Sequence, residues 1–131
     1  MKTLTITDKI HFSNLVIALL IIWLDFLWVS AFYQETPYNF IFTITVLSHF
    51  LVFIYGSGRS KHVFLCLTSL LLFIGSLFHY FMIGFSFLGS AITGATLDLL
   101  VPLSVIPNTI LAIFTGYYVI KNTQKIFSPT L

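Results

Sequence analysis

The residues best placed to do chemistry are the few polar ones that interrupt long apolar runs. Asp25 lies in Trp23-Leu24-Asp25-Phe26-Leu27-Trp28, His49 follows Thr45 and Ser48 in a second apolar run, and His79 follows Gly75 and Ser76 in a third. Asn108 stands in a fourth. An ionisable group inside a bilayer costs roughly 2.5–3.5 kcal/mol at a helix centre, so each needs a partner. At ~1.5 Å per helical residue, Asp25, His49 and His79 lie ~16, ~10 and ~22 Å from the lysine- and arginine-bearing ends of their runs. Asp25 therefore falls between the two histidines in depth. A carboxyl group bonded to an imidazole in a dry interior could relay protons or hold a polar ligand, or it could simply tie two helices together. The expected buried polar centre is Asp25, His49, His79 and Asn108, with Asp25 facing inward.

Other chemistry finds little support. Two membrane histidines suggest haem, but ligation from both sides wants them at similar depth, and these differ by ~12 Å on the helical rise. No HExxH, CxxC or ExxH spacing is present, so neither a metal nor a cofactor is expected. No nucleophile and base stand together, and no catalytic residue is assigned. The single cysteine, Cys66, lies in an apolar run and excludes an intramolecular disulfide.

In the fourth run Ser104, Asn108, Ala112 and Gly116 recur every four residues, a narrow stripe of small and polar side chains. Small residues let helices approach closely, and Asn108 can hydrogen-bond across the contact. The stripe reads as a packing seam, or alternatively as one wall of a hydrated path. Pro107 lacks an amide hydrogen and predicts a kink near Ser104. Asp98 is placed to cap the start of that helix.

Four elements must carry these residues. The 131-residue chain is 58% hydrophobic and 8% charged, whereas a soluble domain is about a quarter charged. Its apolar surface must face lipid or protein. Spans are expected at about 14–33, 39–56, 64–88 and 99–120, each near the ~20 helical residues that cross a bilayer. The connections are Gln34–Tyr38, stopped by Pro37, then Gly56–Lys61 and Gly89–Thr96. Such short loops make successive helices antiparallel. Lys2 and Lys9, Arg59 and Lys61, and Lys121 and Lys125 all fall on one side of this threading, and Glu35 and Asp98 on the other. The positive-inside bias puts both termini in the cytoplasm. A cleaved leader is not expected, because the first run is too long and contains Asp25. The fold class is thus an all-α polytopic membrane protein: residues 1–131 form one transmembrane domain, an up-down antiparallel bundle of four transmembrane helices, N-in and C-in.

Function is less legible. The net charge of +2 is too small and scattered for nucleic acid. The signatures of dual-topology fluoride channels, small multidrug exporters, mercury transporters and quinone-linked thiol oxidases are absent. With almost no mass outside the bilayer, the leading expectation is a non-enzymatic accessory or assembly subunit of a membrane complex, or a small homo-oligomer. Its partners would be lipid and other membrane subunits or itself. A small transporter or channel using Asp25 and a histidine comes second. An embedded enzyme acting on lipid or quinone comes third. A bacterial cytoplasmic membrane is the default location, with an organellar membrane the alternative.

Overall fold

The computed structural model describes residues 3–29, 38–97 and 99–128, and the side chains of these except 25–29 and 38. The described residues are helical, with no strand among them. The helices are α1 (Ile6–Val29), α2 (Tyr38–Tyr55), α3 (Gly58–Thr93), α4 (Leu100–Leu103) and α5 (Val105–Ile126).

The chain starts its first helix earlier than hydropathy suggested, and a local motif explains why. The Thr5 hydroxyl accepts from the Asp8 amide at 3.2 Å, while the Asp8 carboxylate accepts from the Thr5 amide at 2.9 Å. This reciprocal pair closes the first turn of a helix and satisfies two amides that would otherwise be left over. Asp8, Lys9 and His11 therefore belong to α1 rather than to a leader before a span at 14.

The third helix is longer than the expected 64–88 at both ends. Arg59, Ser60 and Lys61, read as a loop, form its first turn. At the other end Gly89 and Ser90 continue the helix, because a glycine costs only ~1 kcal/mol relative to alanine within one. The stop comes at Gly94, whose left-handed backbone (φ 69°) lets its amide reach the Ser90 carbonyl at 2.9 Å. The last helix is interrupted at Ser104, between α4 and α5. Pro107 leaves the Leu103 carbonyl without its usual amide donor, and regular geometry yields just there. Lys125 in the last turn of α5 complements the negative end of the helix dipole.

By length and composition, Ile6–Leu24, Gly58–Thr93 and Leu100–Ile126 are each apolar and long enough to cross a bilayer. Asn39–Tyr55 is equally apolar but shorter, at 17 described residues.

Packing runs in a ring: α1 on α2, α2 on α3, α3 on α5, and α5 on α1. Cross-helix pairs fix the directions. His11 meets His49 and Trp23 meets Thr43, so α1 and α2 are antiparallel. His62 meets Asn122, and His79 meets Ser104, so α3 and α5 are antiparallel too. Asp8 with Tyr118 and Asn14 with Pro107 give the same sense for α1 and α5.

On each long helix a row of buried positions recurs at spacings of three, four or seven. They are Asp8, His11, Leu15 and Ala18 on α1, then Asn39, Phe42, Val46, His49 and Phe53 on α2. On α3 they are Leu65, Ser69, Leu72, Ser76 and Ile83, and on the last helix Ser104, Asn108, Leu111, Thr115, Tyr118 and Asn122. This is the seven-residue spacing of a coiled-coil seam. Its unusual feature is polarity: beside apolar side chains, the inward rows hold Asp8, His11, His49 and several amides and hydroxyls. The outward faces hold Leu20, Ile44, Leu51, Phe81, Phe85, Ile106 and Ile113, all more than half exposed.

Candidate functional site

Spacing along the four rows sorts the core into layers. Nearest the basic ends, Tyr118 donates its hydroxyl to Asp8 at 2.6 Å. The Lys121 ammonium stands 5.9 Å from the centre of the Tyr118 ring, and His62 bonds Asn122 at 2.8 Å. One turn deeper, His11 and His49 meet nitrogen to nitrogen, Nε2 to Nε2, at 3.2 Å. Both side chains are fully buried. The His11 ring packs against Tyr118, with centroids 4.6 Å apart, and the His49 Nδ1 lies 2.8 Å from the Thr68 hydroxyl.

The proton positions in this pair follow from its neighbours. Thr68 gives its one hydroxyl hydrogen to the backbone carbonyls of Phe64 and Leu65. With that hydrogen on the backbone, its oxygen accepts from His49, which then carries a hydrogen on Nδ1. A neutral His49 then has only a lone pair on Nε2. His11 must donate from its own Nε2, and His11 Nδ1 is left with a lone pair and no hydrogen-bond partner.

The next layer is apolar: Leu15, Val46, Leu72 and Leu111, one from each long helix, all buried in the same hydrophobic cluster. Beyond it polarity returns. The Asn108 amide donates to the Ser76 carbonyl at 3.0 Å, and Asn14, next to Leu15 on α1, reaches past the layer to donate its amide to the Pro107 carbonyl at 2.9 Å. His79 Nε2 lies 2.9 Å from the Ser104 hydroxyl, which already donates to the Val101 carbonyl, so His79 is the donor. Here a cavity of about 20 Å3 is lined in part by His79, Ser104 and Asn108. It has room for about one water molecule.

The residues expected from sequence are placed as follows. His49 and His79 lie in different layers, on opposite sides of the apolar one. Asn108 sits with Ser76 and near His79. The Asp25 side chain, expected to bond His79, His49 or Asn108, lies outside the described residues. In the stripe, Ser104 and Asn108 are buried, whereas Ala112 and Gly116 are half-buried. Gly116 faces α3, where a Cβ built on it would lie 3.8 Å from the Phe73 ring.

Sequence reasoning passed over Asp8, His11, His62, Thr68, Tyr118 and Asn122. Two signals could have found them: the Thr5-x-x-Asp8 start motif, and the three-four spacing of polar residues inside apolar helices. Among the described residues no three His, Cys, Asp or Glu side chains group closely enough to hold a metal. Cys66 is half-buried, with its sulfur 3.4 Å from the Thr123 hydroxyl. No family model matches the chain, and no curated protein or solved structure matches it.

Proposed function

We propose that the chain is an integral membrane protein that crosses the bilayer four times, with its basic end and both termini in the cytoplasm, and that it serves as an accessory or assembly subunit of a membrane complex. The observation that carries this reading is the inversion of polarity: polar side chains are turned inward and tie helix to helix, and the outside is apolar. Water would penalise such an exterior, whereas lipid or a neighbouring subunit accepts it. Antiparallel packing brings Lys9, Arg59, Lys61, Lys121 and Lys125 to one end, which supports the orientation. The cavity beside the polar core admits nothing larger than water, which favours packing over solute transport or lipid chemistry.

The outer row of α3 is the face we assign to a partner. Leu71, Ile74, Phe78, Phe81, Phe85, Leu88 and Ile92 repeat at three-four spacing and are all exposed. The helix also runs 14 residues past His79, about 21 Å at the helical rise. A photo-crosslinking residue at Phe81 or Phe85 should capture one membrane protein, or a second copy, in fixed stoichiometry in native membranes. Adducts with lipid alone at both positions would contradict the assignment.

A further inference from the structure

We propose that the polar layers on either side of the Leu15–Val46–Leu72–Leu111 layer form a gated proton path through the protein, with the His11–His49 pair as its transfer point. This rests on the membrane placement proposed above and goes beyond the assembly role. Protons need no cavity, only a file of groups that can accept and donate.

Among the described residues, three buried polar atoms lack a hydrogen-bond partner: His11 Nδ1, Ser69 Oγ and Ser76 Oγ. All three side chains are no more than 1% exposed. An unsatisfied polar atom at such depth is costly, and it marks a place where water or a mobile proton is accommodated. The three are not scattered. His11 and Ser69 lie on the basic-end side of Leu72 and Ser76 on the other, with the two serines about 10 Å apart along one face of α3. The water-sized cavity at His79, Ser104 and Asn108 continues the file on the far side.

The transfer step balances. A proton arriving from the basic end adds to the lone pair of His11 Nδ1, giving an imidazolium. The hydrogen on His11 Nε2 then crosses the 3.2 Å contact to the lone pair of His49 Nε2. When the apolar layer is wet, His49 releases its Nδ1 hydrogen to the Thr68 hydroxyl, which passes its own hydrogen to the water admitted beside Ser69. One proton has entered and one has left. Each ring is left as the opposite tautomer, and rotation of both rings restores the starting state. The groups that face the pair are Tyr118 from α5, Thr68 from α3 and, one turn away on α1, Asp8. Lys121 stands behind Tyr118. At rest the apolar layer interrupts the file, and its wetting is the gating event.

The test uses the full chain in vesicles of phosphatidylcholine and phosphatidylglycerol, with a pH-sensitive dye inside and a potassium–valinomycin potential to drive protons. The wild type should acidify the interior faster than protein-free vesicles do. Leu72→Ser should raise the rate about ten-fold by making the layer wettable, and the double variant Leu72→Ser/His11→Gln should return it to the wild-type level or below. Thr45→Val, which removes only a hydroxyl bonded to the Ile41 carbonyl of its own helix, should leave the rate unchanged. The double variant separates a specific path from a leak through misfolded protein, which would persist. The inference is overturned if wild type and Leu72→Ser both match protein-free vesicles, or if the Leu72→Ser flux survives undiminished in the double variant. Protein that floats with the vesicles yet passes no protons fails this inference alone; protein that does not float fails the membrane placement.

Discussion

At the scale of single residues, the least expected feature is a hydrogen bond between two uncharged imidazoles. It is specified from outside the pair: the Thr68 hydroxyl hydrogen is already given to the backbone, and this sets the tautomer of His49 and, through it, that of His11. The consequence is measurable. In protein labelled with 15N-histidine, a scalar correlation through the hydrogen bond should connect His11 Nε2 with His49 Nε2, and the proton should reside on His11. In Thr68→Val, His49 loses its Nδ1 acceptor, so the proton preference across the bond should weaken. Two independent imidazole signals with no correlation would mean that the rings do not meet. His49 was visible in the sequence as a polar residue in an apolar run. Its partner was not, because His11 stands two residues after Lys9 and before the span expected to start at residue 14.

Helices were legible to the extent that apolar length specifies them. The second helix, Tyr38–Tyr55, lies close to its expected span because hydropathy and helix end together at Gly56. The first and third do not, since a start motif at Thr5 and a left-handed stop at Gly94 set their ends, and neither depends on hydropathy. The stripe on the last helix shows what one helix can and cannot reveal. Periodicity of four marked Ser104, Asn108, Ala112 and Gly116, whereas the inward row drifts to Leu111, Thr115 and Tyr118, because a seam between helices repeats every seven residues. Gly116 nonetheless contacts α3 through Phe73. Gly116→Leu should therefore overpack that contact and lower stability by about 1–3 kcal/mol in detergent unfolding. Ile113→Leu, on the exposed face, should stay within about 0.5 kcal/mol. Equal effects at the two positions would remove the contact from the account.

For the whole molecule, the pattern is a coiled-coil-like interior with the usual polarity reversed. In water, burying Asp8, amides and imidazoles while exposing leucine and phenylalanine would be unfavourable on both counts. In lipid the same arrangement pairs most of the buried polar groups internally, His11 Nδ1, Ser69 Oγ and Ser76 Oγ excepted, and leaves the exterior matched to its solvent. That reversal links the assembly role and the proton path, and both fail without it. Nitroxide scanning along α2 in proteoliposomes tests it most directly. The side chains at Ile44, Leu47 and Leu51 are exposed, and those at Val46, His49 and Phe53 are buried. Labels at the first three should be readily relaxed by oxygen dissolved in lipid and hardly at all by a water-soluble nickel chelate, while labels at the second three should be shielded from both. Strong relaxation by the nickel chelate at Leu47 and Leu51, or by oxygen at His49, would contradict the account.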